Sequence, residues 1–216
     1  MRFFNEYVET RKTGGKLPHW EQPGATYFLT WRLADSIPEE LMEKWRAERD
    51  RWLQENPKPW GEEQEADYHR IFSMEIERLM DKGHGACVLQ EKRMRTVCGD
   101  SFASGDGTRY EIHSWVVMPN HVHLLFSMAE GEMLEKVVGG WKKFTARRIN
   151  AMKGVQGALW QKDYFDTMIR DWKHMIRAAR YVRRNPVRAK LREGEFTLYE
   201  AEWVGRMLGP RSPERG

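Results

Sequence analysis

Cysteine is scarce in this 216-residue chain, which holds only Cys87 and Cys98. Two thiols cannot build the disulfide framework of a small secreted domain, and they lack metal-site spacing. They are read as reduced core thiols, as a cytoplasmic protein would carry. No apolar run approaches the roughly eighteen residues needed to span a bilayer, so no membrane partner is expected. The opening MRFFNEYVETRKTGG has no apolar h-region and is not expected to be a secretory signal. No internal repeat is present.

What the chain does have is polarised charge. The net charge is only +4, yet residues 139–192 carry 15 Lys and Arg against Asp163, Asp166 and Asp171 alone. A basic segment set against an acidic remainder suits a polyanionic partner. Residues 1–24 read as an irregular N-terminal arm, broken by Gly14-Gly15, Pro18 and Pro23. ATYFLTWRL then alternates as a half-buried strand, with Tyr27, Leu29, Trp31 and Leu33 on one face and Thr26, Phe28, Thr30 and Arg32 on the other. Residues 36–82 form an acidic helical insertion, with helices near 38–54 and 62–82 split by ENPKPWG. A helix near 90–102 and a hairpin, RYEIHSWVVMPNHVHLLFSM turning at Pro119-Asn120, follow. Residues 132–152 read as a helix that Gly139-Gly140 could kink. Asp171 caps another, expected to end near Arg184 before Asn185-Pro186. Residues 192–216 read as a C-terminal tail. This order gives an α+β fold, an antiparallel sheet with helices on one face plus a helical insertion.

Two sites on this frame carry chemistry. His121 and His123 are two apart on a strand and point together, and paired neutral imidazoles suit a divalent metal or a polar sheet face. On the capped helix, Trp172, Met175, Ile176, Ala179 and Val182 form the expected core stripe. Tyr181 falls nearly opposite, sharing its face with His174, Ala178 and Asn185, with Arg177, Arg180 and Arg184 between. A tyrosine there either snorkels or acts as a nucleophile on a phosphodiester. Asn185, four residues beyond Tyr181, could give a third, oxygen ligand, and two imidazoles with one oxygen suit Mg²⁺ or Mn²⁺.

WVVMPNHVHLLF resembles the HUH signature (His, bulky hydrophobic, His) of the single-tyrosine transposases. ARYVRRNPVRAKL resembles the tyrosine helix of their REP-associated branch, TYFLTWRLADSIP its first strand, and LWQKDYFDTMIRD the linker before the tyrosine helix. Together these stretches span residues 26–191. The resemblance implies a ferredoxin-like catalytic domain over 25–191, with His121 and His123 facing the tyrosine helix and Asn185 as the polar ligand. It implies Tyr181 as the nucleophile that forms a 5′-phosphotyrosine and frees a 3′-hydroxyl. Its implied substrate is single-stranded DNA beside a hairpin, often a repeated extragenic palindrome. The long insertion and the residues beyond Leu191 depart from the compact family pattern. A monomer and a homodimer are both compatible with it.

Further DNA contacts are expected from Arg177 and Arg184, from Lys142, Lys143 and Arg147 in WKKFTARRIN, and from Arg32 on the first strand. Trp141, within the same run, is read as core. His113 and His174 are read as polar surface residues. Competing readings are a binding module of the same fold without chemistry, a hydrolytic metalloenzyme pairing the histidines with Asp163 or Asp166, and a helical interaction protein.

Overall fold

All eight residues of one strand, His121–Met128, are buried, and the domain is arranged around it. The computed structural model describes residues 1–13, 19–57 and 60–210. Gly14-Gly15, Pro18, part of the ENPKPWG breaker and the last six residues of the expected tail lie outside the described residues.

In chain order the elements are β1 (Arg11–Thr13), β2 (His19–Glu21), β3 (Thr26–Arg32), α1 (Glu39–Glu55), α2 (Glu62–Tyr68) and α3 (Met74–Asp81). They continue as α4 (Lys92–Ala103), β4 (Tyr110–Val117), β5 (His121–Met128), α5 (Leu134–Lys153), β6 (Phe165–Met168), α6 (Trp172–Arg188), β7 (Thr197–Glu200) and α7 (Glu202–Leu208). The main sheet has the order β6-β3-β5-β4-β7, with every neighbour antiparallel. Its first four strands, with α4 and α5 as crossovers, give the expected ferredoxin-like arrangement.

The alternation in β3 does what period-two patterning demands. Tyr27, Leu29 and Trp31 join Val122, Leu124 and Phe126 of β5 in the main core, under Met94, Cys98 and Phe102 of α4 and Val137, Val138 and Trp141 of α5. Each such buried side chain contributes roughly 1.5–3 kcal/mol of transfer free energy. Helix α5 is unbroken through Gly139-Gly140 and stops at Gly154, whose left-handed backbone (φ 66°) admits glycine without strain.

The opposite sheet face is also covered. Leu125 packs with Met175, Ala178, Ala179 and Val204, and Val116 and Met118 pack with Val182. The expected helical layer is thus α4 and α5, and α6 forms a second layer across the sheet. This turns α6 from its expected orientation. Ala178 and Asn185 are buried, whereas Trp172, expected in the core stripe, is 54% exposed. The helix also runs past Asn185-Pro186 to Arg188. Proline here removes one hydrogen bond in the last turn, and the packing of both residues against the sheet outweighs that loss.

Three further segments are more ordered than expected. The N-terminal arm contains β1 and β2, which pair antiparallel. The expected tail supplies β7 as an edge strand on β4, and α7, whose Val204 is fully buried. Arg95, itself buried, donates to Thr197 Oγ1 and to the carbonyl of Gly194, tying this segment to α4. The insertion forms a satellite core of Met42, Trp45, Phe72, Ile76, Leu79 and Met80. Of the two thiols, Cys98 is core as expected; Cys87 is only half-buried, at a left-handed turn (φ 45°).

Candidate active site

The antiparallel register of β3 on β5 sets the site. It pairs Thr30 with His123, Arg32 with His121 and Phe28 with Leu125. These residues alternate with the core positions, so they point away from α4 and α5 and toward α6. His121 and His123 are buried, with ring centroids 4.8 Å apart.

Each imidazole is fixed by a hydrogen bond at Nδ1. His123 Nδ1 lies 2.7 Å from Thr30 Oγ1, and His121 Nδ1 lies 2.7 Å from Asn120 Oδ1. The Asn120 amide has only one sensible orientation, because its Nδ2 donates to the Met80 carbonyl at 2.9 Å. Its oxygen therefore faces His121, which must carry its proton on Nδ1 and keep the Nε2 lone pair. Through Asn120, the end of the insertion helix α3 sets a histidine tautomer. Burial lowers His121 to about 3, and lowers His123 well below its ordinary value with help from His121 and Arg188. Both rings are held neutral, the form that binds a metal.

Helix α6 brings the remaining groups. Asp171 caps it as expected, accepting from the His174 backbone N–H at 2.6 Å. Asn185 Nδ2 donates to His123 Nε2 at 3.0 Å, while Asn185 Oδ1 is buried without a hydrogen-bond partner. The Tyr181 ring stands edge-on to His123, centroids 5.1 Å apart, and edge-on to Phe28 at 5.5 Å. Phe28 in turn stacks on His123. Tyr181 Oη is buried and has no partner at bonding geometry. Burial first, then the nearby Glu77 carboxylate, push its phenol above the usual value. Arg188 lies over the same ring, 5.3 Å from its centre.

Tyr181, His121, His123 and Asn185 are thus brought together in one chain. An unpartnered buried amide oxygen beside two neutral imidazoles is a donor set that fits a divalent cation. Among the described residues no cluster of three or more His, Cys, Asp and Glu could hold a metal, so a cation here would need the Asn185 amide as its third donor.

The expected DNA contacts divide. Lys143, Arg147, Arg177 and Arg184 are exposed. Arg32 is 4% exposed, donates to Ser36 Oγ at 3.1 Å, and is lowered to about 10 by burial. Lys142 donates to the carbonyls of Gln161 and Lys162, both at 2.7 Å, so it secures the linker before β6. Trp141 is core as expected. His113, read as a surface residue, is fully buried at a bulge in β4, with Nε2 2.7 Å from Ser127 Oγ. The bulge turns it inward against Trp203 of α7, in a segment whose order the sequence did not announce. His174 is half-buried.

Several site residues were not anticipated: Asn120, Thr30, Glu77 and Arg188; Phe28 was expected only as a base or phosphate contact beside Arg32. The first had been taken for turn chemistry. Thr30 and Phe28 lay on the right face of β3, but only the register places them against His123. No sequence signal linked Glu77 to a helix a hundred residues later.

Residues 86–185 match the family model described as "Transposase IS200 like". That window holds both histidines, Tyr181 and Asn185, and excludes α1–α3. The chain is similar to the REP-associated tyrosine transposase of Escherichia coli (strain K12), 28% identical over 119 residues, which cover 49% of this chain and 70% of that one. A solved structure of a REP-associated tyrosine transposase bound to a REP hairpin aligns over 87% of this chain and 74% of that one, with 16% identity and a TM-score of 0.42.

Proposed function

We propose that the chain, whose residues 86–185 match the IS200-like transposase model, is a metal-dependent single-stranded DNA endonuclease and strand transferase with Tyr181 as nucleophile. The observation that carries this reading is the packing of Tyr181 against His123, with Asn185 of the same helix bonded to that histidine. That packing sets the tyrosine ring beside a neutral histidine and an unpartnered amide oxygen.

In this reading Tyr181 Oη attacks the scissile phosphorus. The Oη–P bond forms and the bond from phosphorus to the 3′-oxygen breaks. The phenol proton is lost and the departing 3′-oxygen takes one up, leaving a 5′-phosphotyrosine and a free 3′-hydroxyl. His121, His123 and Asn185 would hold Mg²⁺ or Mn²⁺, which supplies a Lewis acid for the phosphate oxygens. Burial keeps both imidazoles neutral, Asn120 sets the Nδ1-protonated form of His121, and Thr30 Oγ1 can accept from His123 Nδ1. The substrate in this reading is single-stranded DNA beside a hairpin, with the exposed Lys143, Arg147, Arg177 and Arg184 along its backbone. In this reading the tyrosine acts with the histidines of its own chain, in a monomer or within a homodimer.

The test is adduct formation. Protein, Mn²⁺ and labelled hairpin-flanked single strands should give a protease-sensitive shifted band on a denaturing gel, lost with EDTA. Binding across a panel of hairpins with no adduct would instead support a binding module that lacks the chemistry.

A further inference from the structure

The insertion reaches the tyrosine. Arg188, in the last turn of α6, lies over the Tyr181 ring, and its two Nη atoms sit 3.3 and 3.4 Å from Glu77 Oε2 of α3. Asp81, one turn along α3, also acts on Arg188. The Arg188 side chain is 40% exposed and that of Glu77 is 21% exposed. Arg188 is therefore a cation at the mouth of the site, half in water. It makes long contacts to a single carboxylate oxygen.

Those contacts are at the weak end of charge-assisted geometry, and an exposed pair of this kind is readily exchanged. A phosphodiester delivered to Tyr181 Oη would come alongside the guanidinium and offer two oxygens, which suit its fork better than one distant carboxylate oxygen. The carboxylates of Glu77 and Asp81 would meanwhile repel any phosphate that had not engaged Arg188. Resting on the phosphotyrosine reading above, we propose that Arg188 grips the scissile phosphate and that Glu77 is the counterion it exchanges for the DNA. The insertion then raises the threshold for DNA entry, because its α3 helix competes for the arginine that the substrate needs.

The experiment measures binding of an unstructured single-stranded oligonucleotide by fluorescence anisotropy, in EDTA and across a salt series, so that no chemistry is required. Arg188→Gln should bind about tenfold more weakly, with a salt slope shallower by about 0.7. Arg188→Lys should keep the slope. Glu77→Gln should bind several-fold more tightly, with an unchanged slope. Wild-type affinity and slope in Arg188→Gln would overturn the proposal, as would weaker binding by a Glu77→Gln protein that melts like wild type. An absent wild-type adduct alongside a shallower slope in Arg188→Gln would sink the phosphotyrosine reading while leaving the phosphate contact in place.

Discussion

The Asn185 amide nitrogen lies 3.0 Å from His123 Nε2, and the oxygen of the same amide is buried with no donor to meet it. A buried carbonyl oxygen left unpaired is costly, and a cation that displaced the amide nitrogen from His123 Nε2 would satisfy that oxygen and take the freed lone pair. Asn185→Ala should therefore weaken Mn²⁺ binding by about 10–100-fold in calorimetric titration, the range seen when metal-site contacts are removed. His121→Ala should abolish binding and His113→Ala should preserve it. An unchanged isotherm in Asn185→Ala would remove the amide from the ligand set.

His113 gives a pH prediction that is separate from the metal. Its imidazole is fully buried against Ser127 and Trp203, with Glu111 4.0 Å away. Burial, and secondarily the N-terminal charge, lower it to about 4. The unfolded chain then binds the proton more tightly than the folded one. The stability is complete above the ordinary value of 6.5 and is lost as pH falls from there toward 4. The loss attributable to this residue is about 3 kcal/mol. Denaturant melts of His113→Gln should show a flatter dependence on pH between those limits than wild type, even where the variant is less stable at neutral pH. Parallel curves would contradict the assignment.

The strands and the site residues they carry were legible because period-two patterning is local. ATYFLTWRL and HVHLLF each declared two faces, and the polar faces proved to be those opposed to α6. The tyrosine helix was legible in its Asp171 cap and its basic surface, but its rotation and its end were not. Both depend on what lies across the sheet, and the burial of Asn185 against His123 overrides the usual penalty of the residue before proline. The segment after Leu191 read as a tail because Thr197–Glu200 is too short to show alternation. Its strand exists only as an addition to the β4 edge, secured by Arg95 from a distant helix. The role of the insertion was hidden for the same reason. Met80 reaches Asn120, and Glu77 reaches Arg188, only after folding.

Lys142 and Lys143 are neighbours with different tasks. Lys142 is bonded to two backbone carbonyls, and burial lowers it to about 8, whereas Lys143 is exposed. Lys142→Ala should lose about 1–2 kcal/mol of stability, because it leaves those carbonyls without their charged donor. Lys143→Ala should leave the melt unchanged and reduce the salt slope of single-stranded DNA binding by about 0.7. Salt-dependent anisotropy and denaturant unfolding on the two single variants separate the roles. A slope change confined to Lys142→Ala would reverse them.

The central claim is that Tyr181 Oη becomes bonded to DNA, and the bond itself can be located. Protein incubated with Mn²⁺ and hairpin-flanked single-stranded DNA would be digested with nuclease and trypsin, then sequenced by mass spectrometry. The account predicts a nucleotide 5′-phosphate on Tyr181, absent when EDTA is present. Tyr181→Phe should yield no adduct while unfolding within about 1 kcal/mol of wild type, since Oη has no partner at full hydrogen-bond geometry, although Glu77 and Asn185 lie near it. Cleaved DNA with no modified Tyr181, or full cleavage by Tyr181→Phe, would contradict the account and point to hydrolysis by water instead.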